Sequence, residues 1–217
     1  MHERLTIIGI DLSGPRNVAD TSVAVFTQQG GQLCFLQAIH GAGDKEIFDL
    51  VAKIGEKGCA AVGIDAPLSY NPGGGDRPSD TNLRRCVLRV GRAGVMPPTL
   101  IRMVYLTLRG IALTRALEAL KPRVDLKLVE VHPGACMLLR GAPASDVAAF
   151  KRGAASRLRL LEWLQASGMN DLPKAENTFD HFVAACAAAL ASWKWATGES
   201  VWCHPAQPPE HPYDFAC

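Results

Sequence analysis

Apolar positions along this chain fall into two periods. Residues 5–10 (LTIIGI) carry no charge, and Ile7, Ile8 and Ile10 are β-branched, which suits a strand buried on both faces. The run ends on Asp11, and Ser13-Gly14-Pro15 turn the chain. A second copy of the pattern, AAVGIDAPLS at 60–69, again passes through Gly-Ile-Asp and breaks at a proline. A third, LKLVEVHP at 126–133, carries Glu130 just before Pro133. Between the first two lie SVAVF (22–26) and LCFLQA (33–38), joined by a polar link with Gly30-Gly31 that predicts a hairpin.

The other period is helical. Ile47, Leu50, Val51 and Ile54 predict a helix over 45–57 with Asp44 as N-cap, followed at once by the strand 60–65, as a crossover requires. Residues 99–120, opening after Pro98 and closed by Pro122, predict a long amphipathic helix. Pro143 to Asp146 marks a helix start, and Leu158, Leu161 and Leu164 continue a helical stretch to about Gly168. Asn177-Thr178 cap an alanine-rich helix over 179–196, stopped by Gly198, with Val201-Trp202 as an edge strand. Residues 70–98 are rich in proline, glycine and arginine, which leaves a functional lid or a disordered segment open, with a short helix near 80–90. The tail 203–217 is proline-rich and reads as irregular. The pattern predicts one α/β domain over 1–217. Antiparallel strands one to three are extended by parallel strands into a mixed sheet, with helices on both faces.

Composition narrows the class without naming it. Of the 217 residues, 48% are hydrophobic and 20% charged, as in an ordinary domain with a proper core. The net charge of +2 is too small to draw nucleic acid by bulk field, so such a partner requires a local basic patch. The seven cysteines are scattered without a CxxC pair, and Cys203, His204, His211 and Cys217 lack zinc spacing, which argues for a reduced, cytoplasmic protein. No apolar run is long enough to span a bilayer, and residues 1–4 are too short for a signal peptide.

The chemistry lies in the carboxylates at element ends. Asp11 and Asp65 would project side by side from neighbouring strands, Glu130 would join them from the next, and Asp180 would face them from a helix start. Such anions need a counter-charge. Hard divalent cations, Mg²⁺ or Mn²⁺, supply it through oxygen ligands, and two ions about 4 Å apart can cleave a phosphodiester. Each acid also has a structural alternative: Asp11 and Asp65 as turn caps, Glu130 as a partnered core residue, Asp180 as a favourable first-turn charge. Ser13 shares the face of Asp11 and can touch a phosphate or fix the turn. His132 can act beside Glu130 in proton transfer or serve as a structural histidine. Arg77, Arg84 and Arg85 can grip phosphates or belong to a solvated loop.

The GID of the first strand, GIDAPLS, the E-x-H-P around Glu130 and the D-x-x-V-A-A of Asp180 resemble the predicted nucleases of ribonuclease H-like fold, more narrowly an uncharacterised domain family of that group. The resemblance covers about residues 5–202. It implies a ribonuclease H-like fold and a divalent-metal-dependent nuclease with one or two Mg²⁺ or Mn²⁺ ions. Asp11, Asp65, Glu130 and Asp180 match the metal-binding acidic positions, and DNA or RNA is the implied substrate. His181 and Phe182 stand where relatives carry a small residue and a leucine, a difference expected to bear on packing more than chemistry. Two other classes stay open: a non-catalytic binding module on the same fold, and an actin-like ATPase, for which one strand set is short.

Overall fold

The computed structural model describes residues 5–90, 100–173 and 179–217, with 100–102 as backbone only. Its frame is a mixed sheet of β1 (Thr6–Asp11), β2 (Ser22–Gln29), β3 (Gln32–His40), β4 (Ala60–Asp65), β5 (Leu126–Val131), β6 (Met169–Asn170), β7 (Cys203–His204) and β8 (Phe215–Ala216). Their order across the sheet is β6-β3-β2-β1-β4-β5-β8-β7. β1, β2 and β3 are antiparallel neighbours, whereas β4 runs parallel to β1 and β5 parallel to β4. The helices are α1 (Asp44–Gly55), α2 (Pro78–Val90), α3 (Leu100–Glu118), α4 (Pro133–Leu139), α5 (Ala144–Ala149), α6 (Ala154–Ala166) and α7 (Asp180–Ala196).

Side-chain alternation divides the core in two. Ile7, Ala61, Val129 and Val131 pack on the face covered by α4, α6 and α7. Ile8, Ile10, Val62, Ile64 and Leu128 pack on the other, against Ile47 and Val51 of α1 and Leu113 and Leu117 of α3. β1 and β4 are therefore buried on both faces, and their continuous apolar composition reflects this. The helix α7 is buried from Phe182 through Trp193. It lies so close to the sheet that a Cβ on Gly9 would stand 2.0 Å from the Ala185 carbonyl oxygen, and one on Gly63 would stand 2.7 Å from that of Ala188. The glycine two residues before each strand-end aspartate is thus a packing requirement.

Several expectations need correction. Gly43, not Asp44, precedes α1 as its N-cap, because the Glu46 side chain accepts from the Gly43 amide at 2.7 Å. Pro133 does not merely end a strand: it opens α4, where its missing N–H costs nothing, and His132 Nδ1 accepts from the Ala135 amide. The helical stretch after Pro143 is two helices, α5 and α6. The tail is not irregular throughout, for β8 adds to β5 and β7 to β8, one residue beyond the expected strand at Val201-Trp202. Within 70–98, α2 begins at Pro78, earlier than expected. Residues 91–98 and the expected cap Asn177-Thr178 lie outside the described residues. Among the described residues no helix is long and apolar enough to cross a membrane.

Candidate active site

The crevice forms where β1 turns one neighbour antiparallel and the other parallel, beyond the carboxyl ends of β1 and β4. Open α/β sheets place ligands at such points. In the parallel ladder Asp11 stands opposite Asp65, so both side chains share the α7 face. Because Gly9 and Gly63 admit α7, the start of that helix comes down beside the pair and brings Asp180 and His181. Asp11, Asp65, Glu130, His132, Lys151, Asp180 and His181 all line one cleft of about 620 Å³. Leu12, Ala66, Val147 and Phe150 supply much of its apolar wall.

The electrostatics centre on Asp65. Burial, then the charge of Asp11 and a hydrogen bond to its carboxyl group, push the Asp65 carboxyl well above the ordinary range; Lys151 opposes this and Glu130 adds to it. Asp65 is therefore held toward its neutral form beside Asp11. On its other side Asp11 Oδ2 lies 2.6 Å from His181 Nδ1. That hydrogen bond raises the His181 pKa, against burial, with further help from the charges of Asp11, Asp180 and Asp20. His181, Asp11 and Asp65 form one hydrogen-bonded line.

Glu130 is placed differently from expectation. It pairs with Ile64, one residue short of Asp65, and so takes the opposite sheet face. Arg77 Nη1 donates to Glu130 Oε2 at 2.8 Å, Arg77 Nη2 donates to Oε1, and the Leu68 amide donates to Oε2 at 2.9 Å. Arg77 also donates to Asp80 through Nε and Nη2, and to Ser69 Oγ at 3.1 Å. Burial works against the Arg77 charge, but Glu130 and Asp80 outweigh it and raise its pKa beyond the usual arginine range. Arg77 is thus buried and bonded on every side rather than turned to a phosphate.

The remaining sequence candidates are dispersed. Ser13 is not among the cleft's lining residues: its Oγ donates to the Asn17 carbonyl, and its own carbonyl accepts from Arg109 Nη1 at 2.8 Å. Arg84 pairs with Asp76, and Arg85 is exposed on α2. His132 lines the cleft while capping α4. Among the described residues no group of three or more His, Cys, Asp or Glu side chains is arranged to hold a metal ion.

Residues 9–210 match a family described as a protein of unknown function, DUF429. The chain belongs to the DUF429 family. No curated protein matches it. The matched span contains all four acids, so the cleft of this DUF429 chain lies inside the family's extent.

Three contributors in this DUF429 chain escaped the sequence reading. His181 is more than a packing difference, for it bonds directly to Asp11. Lys151 reaches the cleft from the turn between α5 and α6, a position that no local pattern signals. Arg109, buried on α3, ties the loop after β1 to α1 through Thr21 Oγ1 at 2.8 Å, Asp44 Oδ1 at 2.8 Å and the Ala42 carbonyl at 3.2 Å. It is one of three arginines in the sequence of α3, with Arg102 and Arg115, so nothing local marks it out.

Proposed function

We propose that the cleft is the active site of a divalent-metal-dependent hydrolase of ribonuclease H-like fold, acting on phosphodiester bonds of nucleic acid in the cytoplasm. The observation that carries this reading is the pair Asp11 and Asp65, side by side across a parallel ladder and lining one cleft, where burial and the Asp11 charge oppose ionisation of Asp65. Two adjacent carboxylates that cannot both ionise alone are the donor set a hard cation replaces a proton in. The donors fit one Mg²⁺ or Mn²⁺: Asp11 and Asp65 would hold it, with Asp180 at the same cleft. Both Glu130 oxygens are engaged by Arg77, so a second ion finds no carboxylate there. When bound, such an ion supplies an activated water and offsets charge at phosphorus.

The chain's own residues supply the rest. His181 orients Asp11 and holds a proton at Nδ1, Lys151 adds positive charge opposite Asp65, and Leu12, Ala66, Val147 and Phe150 line the apolar side of the cleft. The mixed order of β3, β2, β1, β4 and β5, with helices on both faces, supports the ribonuclease H-like assignment.

The test is calorimetric titration with MnCl₂, paired with cleavage assays on single- and double-stranded DNA and RNA. Wild-type protein should bind one Mn²⁺, and Asp11→Asn and Asp65→Asn should each weaken binding at least about tenfold, a loss of about 1.4 kcal/mol, while remaining folded. Unaltered Mn²⁺ affinity in both variants, or no metal-dependent turnover of any substrate, overturns the reading.

A further inference from the structure

The row of side chains that begins in the cleft continues beyond it. Asp65 stands opposite Asp11, Asp11 opposite Ser22, and Ser22 opposite His40, so four adjacent strands place these residues in line on the α7 face. His40 is exposed at the end of β3, and its Nδ1 lies 2.9 Å from Ser22 Oγ. Against it lies Phe179, immediately before α7, with ring centroids 5.6 Å apart. Phe179 is 61% exposed, although a phenylalanine at a helix start has no polar reason to be there.

These two rings are the outer end of an aromatic stack rooted in the core. Phe26 meets Phe35 at 5.5 Å, Phe35 meets Phe182 at 5.9 Å, and Phe182 meets His40 at 6.0 Å, each edge to face. Phe26 is fully buried. The platform is therefore held in place by the core behind it and by Ser22, and little order is lost when something lies on it. Phe179 is followed directly by Asp180 and His181, both of which line the acidic cleft.

We propose that Phe179 and His40 form a stacking subsite for an unpaired nucleobase of single-stranded nucleic acid whose backbone enters the Asp11–Asp65 cleft. This rests on the hydrolase reading for the neighbouring cleft. A base has an aromatic face that stacks on phenylalanine and histidine, and the phosphate that follows it is the group the cleft would act on. Paired bases in a duplex have both faces covered, so the platform selects single strands. Stacking is tolerant of base identity, which makes the expected preference structural rather than sequence-specific.

The experiment is fluorescence anisotropy with a short fluorescein-labelled single-stranded oligonucleotide in metal-free buffer, using wild type, Phe179→Ala, His40→Ala and Phe179→Trp. Phe179→Ala should bind about tenfold more weakly, within the range stacking contributes per base. Phe179→Trp should keep the affinity, and the fluorescence of the added indole should be quenched by the oligonucleotide. Equal binding by wild type and Phe179→Ala, no binding by wild type, or tighter binding of the matching duplex overturns the subsite. Mn²⁺ titration of the wild type separates the two readings. Failure to bind Mn²⁺ with stacking intact removes the hydrolase alone, whereas Mn²⁺ binding with unchanged oligonucleotide affinity in Phe179→Ala removes the subsite alone.

Discussion

Replacing Arg77 with methionine decides whether Glu130 belongs to the architecture or to the chemistry. The Arg77, Glu130 and Asp80 side chains are exposed by only 4%, 6% and 3%. Removing one member of a buried ion pair costs about 3–5 kcal/mol, because the partner keeps its charge without compensation. Here two carboxylates lose their cation, although Glu130 keeps the Leu68 amide and Asp80 keeps the Arg77 amide as donors. The retained bonds argue for the middle of that range, about 4 kcal/mol. At a urea dependence near 2 kcal/mol/M this moves the unfolding midpoint down by roughly 2 M. A second substitution, Glu130→Gln, removes one uncompensated charge while still accepting from Leu68, so the double variant should recover about half of the loss. The assay is urea unfolding followed by tryptophan fluorescence. The reasoning is refuted by a midpoint shift below about 0.5 M, or by a double variant no more stable than Arg77→Met. Retention of Mn²⁺ affinity in Glu130→Gln belongs to the same expectation, since both glutamate oxygens face the arginine.

Other substitutions probe the packing and the acid pair. Gly9→Ala should cost more than the roughly 1–3 kcal/mol usual for overpacking, since its Cβ meets the backbone of α7 at 2.0 and 2.3 Å, whereas Gly14→Ala, with nothing within 4 Å, should leave the melting temperature nearly unchanged. Equal melting temperatures for the two variants would show that α7 yields freely. The raised pKa of Asp65 predicts the sign of its pH dependence: native protein holds this proton where the unfolded chain has released it, so the contribution is full below the unfolded carboxylate range and is lost as pH rises through the native value. In metal-free buffer Asp65→Asn should therefore be at least as stable as wild type at neutral pH and show a flatter decline with rising pH. A variant clearly less stable at neutral pH would contradict this.

How far the sequence spoke depended on the range of the interaction. The buried strands, the hairpin and the alanine-rich helix were legible because each is fixed by composition within a few residues. Asp11 and Asp65 were legible as neighbours because both close a Gly-Ile-Asp run, and equal runs in parallel strands tend to align. Glu130 was legible as a strand-end acid but not in its direction. Its parity with Leu126 and Leu128 places it on one face of β5, yet which face Asp65 shares with that strand depends on the register of β4 against β5. That register is set by a crossover through α2 and α3, and a slip of one residue reverses the answer. Arg77 was misplaced for the same reason: a glycine-rich segment says nothing of a partner 53 residues away. The two-residue strands β6, β7 and β8 carry too few positions for periodicity and exist by pairing alone.

The distribution of charge partners separates two kinds of acid in this molecule. Glu130 and Asp80 share Arg77, Asp146 has Arg159, and Asp44 has Arg109. Each of these carboxylates faces a guanidinium, whose rigid fork and permanent charge suit a structural clamp. Asp11 and Asp65 face each other instead, with a histidine on one flank and the exposed Lys151 on the other. An asparagine at either position would keep a hydrogen bond and remove the repulsion, so a purely structural role gives no reason for two acids. His181 and Lys151 offset part of their cost, and a cation held between the two acids, as proposed above, would offset the rest. Among the described residues, the acids that arginine clamps hold the fold together, whereas Asp11 and Asp65 line an open cleft with no guanidinium among its lining residues.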